Sequence, residues 1–377
     1  MSSSRPMQIT DLQTPAVLIE SSRLSRNLDR MQAAVTARGR RLRPHAKTHK
    51  SPLVAEMQIA RGAVGICCAK LGEAEVFADA GITDIRVPYP LNPVNADRVL
   101  ALASRVAFSF IVDDLSVARA WSDVARRAGR RLDVLVKVDV GFHRCGIDPH
   151  ASDAPSLVRE VAELPGLRFK GLLSHAGHAY GANSDTEIEA IACAEARLLR
   201  DLAVRSEVPC EEISVGATPT ARFSIYQEGV TELRPGNYAY YDRMQVAVGS
   251  AAWDDCALTV LARVVSRPAA DRIIFDSGSK TLTSDLIKGR GNPAGHGAVL
   301  EDVHGARPDD SLVIERLSEE HATVRNANGR SRLAIGDLVR IVPNHSCVVS
   351  NMVDTVWLVD GDAVLDRLPV AARGRIT

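Results

Sequence analysis

Between residues 40 and 236, short apolar runs alternate with longer segments of helical periodicity, eight times over. This repeat constrains the fold more than any other feature of the chain. The apolar runs are residues 40–46, AVGICCA at 63–69, DIRVPYP, VAFSFIV, RLDVLVKVDVG, FKGLLSH, EEISVG and TELRPG. Helices are predicted between them near 51–61, 70–81, 93–104, 115–128, 154–163, 184–205 and 219–226. An earlier helix follows the cap-like pair Ser21 and Ser22, with Leu24, Leu28, Met31 and Val35 on one face. Near-continuous apolar strands separated by helices make a parallel sheet, buried on both sides. Eight such units predict a (β/α)8 TIM barrel over residues 21–245. A doubly wound open sheet is the alternative, but no GxGxxG follows the first strand.

From about residue 246 the texture changes. LTVLARVVSRP, DRIIFDSG, DSLVIERLS, HATVRNANG, DLVRIVPNH and TVWLVDGDAVLDRL read as strands, broken by turn pairs such as Asn328-Gly329 and Asp360-Gly361. A mostly antiparallel β domain is therefore expected over 246–377. The early apolar strand AVLIE (16–20) is expected to join it, and residues 286–310 are expected to form a loop. With 377 residues the chain is long enough for both parts.

Composition excludes several classes of function. Lysine and arginine number 46, as do aspartate and glutamate, so no net field favours nucleic acid or an acidic membrane surface. No apolar run approaches the ~20 residues of a membrane span, and MSSSRPMQITDLQ lacks the apolar stretch of a secretory signal. Seven cysteines are scattered without a CxxC pair, as in a reduced cytoplasmic chain.

In a parallel barrel the active site gathers at the C-terminal ends of the strands. After the first strand comes RPHAKTHKS. In extended conformation His45, Lys47 and His49 would share one face. A lysine partly desolvated at the barrel mouth has an amine available for a Schiff base, whereas the bland reading is a run of surface cations. SVGATPT and RPGNY follow the last two strands, where barrels often seat a phosphate on exposed backbone N–H groups. Gly216, Ala217, Thr218, Gly236 and Asn237 are candidates for that cup, although many strand-to-helix loops are simply glycine-rich. A reactive lysine and a phosphate cup at one mouth imply pyridoxal 5′-phosphate. Arg144 in VGFHRCG and His175 in SHAGH stand at neighbouring strand ends, either beside a cofactor ring or as packed structural residues.

IVPNHSCVV places His345 and Cys347 two apart, on one face if extended. Imidazole and thiolate ligate zinc and similar divalent ions, and two protein ligands leave positions open, as in catalytic sites. The alternative is a buried cysteine beside a strand-end histidine.

RPHAKTHKS, DVGFHRCG, RPGNYAYYD and PNHSC, in this order and spanning nearly the whole chain, resemble the D-threonine aldolase and eukaryotic-type D-serine dehydratase family. These are metal-activated, fold-type III pyridoxal phosphate enzymes related to alanine racemase. The resemblance implies an alanine racemase-like barrel followed by a β domain, with Lys47 as the Schiff-base lysine. It implies Gly216 to Thr218 and Gly236 to Tyr238 at the phosphate, Arg144 and His175 beside the cofactor ring, and His345 and Cys347 on a Mn²⁺, Zn²⁺ or Mg²⁺ ion. Some aldolases of the family carry His and Asp at the metal; this chain has the His and Cys of the dehydratase branch. The expected reaction is retro-aldol cleavage of a D-threonine-type substrate, with His49 as the base removing the hydroxyl proton. The alternative is dehydration of D-serine or D-threo-3-hydroxyaspartate, and a racemase or a noncatalytic cofactor-binding protein also stays open. Fold-type III relatives imply a homodimer.

Overall fold

The computed structural model describes residues 5–327, 329 and 331–377, so Asn328 of the expected Asn328-Gly329 turn lies outside the described residues. Two compact units emerge. The barrel unit comprises Arg30–Lys47, Pro52–Gly236 and Gly374–Thr377; the β unit comprises the chain up to Asp29, Thr48–Ser51 and Asn237–Arg373.

The barrel unit has the eight-fold alternation read from the sequence. Its parallel strands run, in spatial order, Arg41–Leu42, Glu232–Leu233, Glu212–Val215, Leu167–Leu173, Leu132–Lys137, Ala107–Val112, Asp84–Pro90 and Ile66–Cys67. A parallel bridge between His45 and Cys67 joins the two ends, with Cys67 N–H donating to Pro44 O at 2.7 Å, and so closes the barrel. Helices follow as the periodicity predicts, among them Leu115–Arg127, capped by Asp114, and Asp185–Ser206, capped by Ser184. Gly171 is required where two strands touch. A Cβ there would lie 1.9 Å from Glu212 O.

The barrel interior departs from the apolar reading of its strands. Arg86 is 2% exposed and donates to Glu232 Oε1 at 2.5 Å, Glu212 Oε2 at 2.7 Å and Ser109 Oγ at 2.9 Å. Arg43 Nε reaches the other oxygen of Glu232 at 2.9 Å, and Ser214 Oγ donates to Glu232 at 2.6 Å. Strand register stacks these groups, pairing Arg86 with Ser109 and Ser214 with Glu232. Burial opposes the Glu232 carboxylate, but the charges of Arg86 and Arg43 outweigh it and hold its pKa down to about 2. Such a network is stable only when every member is paired.

The β unit is one nine-stranded sheet, in the order Arg272–Phe275, Ala322–Asn326, Pro308–Leu317, Ala298–Leu300, Leu338–Val342, Leu258–Ala269, Ala16–Glu20, Thr355–Asp360 and Ala363–Pro369. Arg272–Phe275 also pairs with Leu258–Ala269, so the first six strands close on themselves. The early strand Ala16–Glu20, buried at every position, pairs antiparallel with Leu258–Ala269 and parallel with Thr355–Asp360. Residues 286–310 are not all loop. The buried triplet Ala298–Leu300 forms a strand, and Pro308–Leu317 starts another.

Candidate active site

Lys47 sits at the barrel mouth but not on an extended strand. Ala46–Thr48 is a turn of 3₁₀ helix and Lys50 has φ 49°, so the common face expected for His45, Lys47 and His49 is not formed. The turn is held from far along the sequence, since Ser350 Oγ donates to Thr48 O at 2.5 Å. In the barrel unit Lys47 is exposed and lines a cavity of about 360 Å³ with His45, Tyr89, Arg144 and Cys145.

Arg144 reaches this cavity through the geometry of DVGFHRCG. Asp139 Oδ1 accepts the N–H groups of Gly141, Phe142 and His143 at 3.0, 3.1 and 3.0 Å, which winds the loop tightly after its strand. The loop then returns past Gly146 (φ +116°), whose added Cβ would lie 2.6 Å from Asp139 N. Within it the Arg144 guanidinium lies 5.0 Å from the centre of the Phe142 ring, which in turn meets the His175 ring edge-on at 5.7 Å.

His175 is tied by Nδ1, 2.6 Å from Gly216 O. A carbonyl only accepts, so Nδ1 carries the proton and Nε2 presents a lone pair. Burial, reinforced by the charges of Lys47, Lys137, Arg144 and Arg234, drives its pKa well below the usual value. The desolvated lysine of this cluster is Lys137, which the sequence reading left inside a strand. Burial and the neighbouring Arg234 lower its pKa to about 7. The signal was a charged residue interrupting the apolar run VLVKV.

At the candidate phosphate cup Gly216 packs so closely on Arg234 that a Cβ would lie 3.2 Å from its backbone and side chain. Ala217 is extended and Thr218 opens the short helix Thr218–Ser224. The buried Thr218 Oγ1 has no hydrogen-bond partner among the described residues. An orphaned buried hydroxyl two residues from Gly216, which packs on Arg234, fits an anionic cofactor such as a phosphate ester. Gly236 is the last residue of the barrel unit's long segment Pro52–Gly236.

In the β unit, Asn237 and Tyr238 lie in a buried 3₁₀ turn, Asn237–Ala239. The Asn237 side chain faces the metal candidates. Its Nδ2 donates to Asp242 Oδ2 at 2.6 Å and lies 3.5 Å from Cys347 Sγ. His49 is wholly buried, its Nδ1 accepting the Ser51 N–H at 3.1 Å and its ring edge-on to Tyr240.

His345 and Cys347 come together, although not as strand neighbours. His345 is the N-cap of the helix Ser346–Met352, and Cys347 lies in its first turn. The helix starts there because the fully buried Asp242 accepts both the N–H (2.9 Å) and the hydroxyl (3.2 Å) of Ser346. Asp242 itself had carried no signal beyond the run YAYYDRM. Cys347 Sγ shares a hydrogen bond with Thr48 Oγ1 at 3.2 Å, and His345 Nδ1 lies 2.7 Å from Asp285 Oδ2. Burial disfavours the His345 imidazolium, but its hydrogen bond with Cys347 and the charges of Cys347 and Asp242, with Asp285, push its pKa up to about 10. Among the described residues no group of three His, Cys, Asp or Glu side chains converges as a metal site. An imidazole and a thiol in mutual contact, within an anionic surround, nevertheless suit a divalent cation that keeps open positions.

The family model described as alanine racemase, N-terminal domain, matches residues 19–244. This chain belongs to the alanine racemase-like family. A second model, described as a putative serine dehydratase domain, matches residues 257–359 of this alanine racemase-like chain. A D-threo-3-hydroxyaspartate dehydratase of Delftia sp. (strain HT23) is 36% identical over 354 residues, 89% of this chain and 91% of that protein. A D-threonine aldolase of Arthrobacter sp. is 34% identical over 377 residues, 96% of this chain and 93% of that one. Among solved structures, a cysteine-to-alanine variant of D-threo-3-hydroxyaspartate dehydratase in the metal-free form superposes with a TM-score of 0.89 at 31% identity, covering 96% of this chain and 98% of that one.

Proposed function

We propose that this chain is a pyridoxal phosphate- and divalent-metal-dependent lyase of D-3-hydroxy amino acids, cleaving the Cα–Cβ bond of D-threonine-type substrates to glycine and an aldehyde. The observation that carries this reading is the presence, in one chain, of a cationic centre at Lys47 and an anionic centre at His345 and Cys347. The first suits a phosphorylated cofactor and the second a metal ion. When bound, the cofactor supplies an electron sink for charge at Cα, and the ion supplies Lewis acidity at the substrate hydroxyl.

Lys47 Nζ would hold the cofactor aldehyde and, in this reading, would move a proton at the substrate Cα. Thr218 Oγ1 and the backbone of Gly216 to Thr218 hold the phosphate, with Gly236 to Tyr238 assigned to the same group. Arg144 and the neutral His175 flank the ring. His345 and Cys347 hold the ion, and His49 takes the proton of the 3-hydroxyl.

A second reading, dehydration of D-serine or D-threo-3-hydroxyaspartate to an oxo acid and ammonia, is supported by two observations. Cys347 stands where some aldolases carry a carboxylate. The Nδ1 lone pair of His49 accepts the Ser51 N–H, so the neutral ring carries its proton on Nε2 and is poorly disposed to act as the base. The same proposal includes a homodimer in a reducing cytoplasm, which light scattering of the purified protein checks for assembly.

The deciding experiment is a product assay with D-threonine, D-serine and D-threo-3-hydroxyaspartate, before and after EDTA, then with added Mn²⁺ or Zn²⁺. Glycine with acetaldehyde, lost on chelation and restored by metal, is the expected result. An oxo acid with ammonia under the same metal dependence selects dehydration, and turnover indifferent to chelation overturns the metal assignment.

A further inference from the structure

We propose that Asp285 is a positioning residue for the metal: it fixes the tautomer and orientation of His345 so that Nε2 and Cys347 Sγ present lone pairs to one ion. The inference rests on the reading of His345 and Cys347 as the metal pair.

Asp285 comes from the loop after the short helix Ser279–Leu282, far in sequence from the residues it serves. Its Oδ2 lies 2.7 Å from His345 Nδ1. A carboxylate accepts, so Nδ1 keeps its proton toward Asp285, and once an ion displaces the proton on the other ring nitrogen, that nitrogen is the electron-pair donor. With Nδ1 held by Asp285, Nε2 is the ring nitrogen left for an ion shared with Cys347, with which the imidazole is hydrogen-bonded. An imidazole held by a carboxylate through one nitrogen is a more basic and better-aimed ligand through the other.

The loop is built to keep the carboxylate in place. Thr283 holds φ +64°, a left-handed conformation unusual for a β-branched residue, and its hydroxyl accepts the Asp285 N–H at 3.2 Å. Asn344, the residue before His345, is fully buried and donates through Nδ2 to Asp285 O and to Gly295 O, each at 2.9 Å. Arg243 Nη1 holds its other amide atom at 3.3 Å. One side chain thus locks the carboxylate's loop to the backbone that carries the histidine. The side chains of His345 and Asp285 are 31% and 44% exposed, and an ion pair so placed contributes little to folding. Its ties from Thr283 and Asn344 therefore point to orientation and not to stability.

The test uses the full-length, cofactor-loaded protein, stripped of metal and titrated with Mn²⁺ or Zn²⁺ against a competing chelator. Asp285→Asn is expected to weaken metal binding by roughly 10- to 100-fold, the range for such outer partners, with the cofactor absorbance and melting temperature unchanged. Asp285→Glu should recover most of the loss. Imidazole ¹⁵N shifts of the Zn²⁺-loaded protein, with His345 assigned by difference from His345→Ala, should show protonated Nδ1 and ion-bound Nε2 in the wild type and a mixture of the two ligation modes in Asp285→Asn. Metal affinity within two-fold of wild type, with an unchanged ¹⁵N signature, overturns the role of Asp285. His345→Ala, titrated in parallel, separates this failure from a deeper one. If that variant also keeps its metal, the ion is held elsewhere, and the metal assignment itself falls with the proposal.

Discussion

His175 and His345 stand in opposite electrostatic surroundings. In the barrel unit, burial and four cationic side chains force His175 to stay neutral. In the β unit, Cys347, Asp242 and Asp285 favour a proton on His345, in spite of burial. Burial disfavours the charged ring in both, and the neighbours decide the outcome: cations add to the lowering at His175, and anionic partners reverse it at His345. The difference teaches what each centre is built to receive, because a site with one sign of charge is completed by a ligand of the other sign. The barrel centre awaits an anion and the β-unit centre a cation.

If that division of labour is right, removing one centre should leave the other able to bind its ligand. The largest effect is expected for Lys47→Ala. Turnover should fall by at least about 1,000-fold, as for loss of a covalent anchor, and the borohydride-reducible absorbance should vanish while metal affinity stays within a few-fold. Cys347→Ala is the mirror test, since it should keep the cofactor absorbance and lose the metal. If either variant loses both ligands while its melting temperature is unchanged, the centres do not bind independently.

The second test sharpens the sign of the barrel centre. Lys137 has its pKa lowered from 10.5 to about 7, so between these values the unfolded chain binds more protons than the folded one. Stability attributable to this group therefore rises with pH across that window, and the penalty is complete below it. Lys137→Met should be more stable than wild type in urea at pH 6.5, by a few kcal/mol at most, with the gap closing toward pH 10. A gap that does not change with pH would mean that burial and the charge of Arg234 do not hold Lys137 neutral.

The smallest effect is expected at Thr48. Replacing it with valine removes the hydroxyl 3.2 Å from Cys347 Sγ, one hydrogen bond worth roughly 1 kcal/mol, or about five-fold in metal affinity. Thr48→Ser should restore it. No change in either variant would show that the thiolate is set by its anionic neighbours and the helix start alone.

The barrel was legible because its strands and helices repeat at regular intervals, and periodicity is a local property of sequence. The candidate site residues were legible as motifs, in HAKTHK and PNHSC, but the conformations of those motifs were not. Both were read as extended, yet the first is a turn held by Ser350 and the second a helix start held by Asp242. The partners lie about 300 and 100 residues away, beyond any window of pattern. The ionic layer inside the barrel was hidden for another reason. Arg86, Glu212 and Glu232 lie in three different strands with no common spacing, and only strand register shows that they face one another. Asp285 and Lys137 likewise carried charge without a recognisable spacing.

The placement of Ala16–Glu20 has a consequence for how the molecule is made. This five-residue segment, apolar but for its last residue, takes its partners from residues 258–261 and 357–359. During synthesis the barrel's repeats, whose partners are near in sequence, can be satisfied as they appear. The early strand must wait, apolar and unpaired, while more than 200 further residues are added. Non-local pairing of this kind slows folding and leaves a sticky edge exposed in the meantime. Yield in the cell should thus depend on whatever shields that segment from other chains until its own far end arrives.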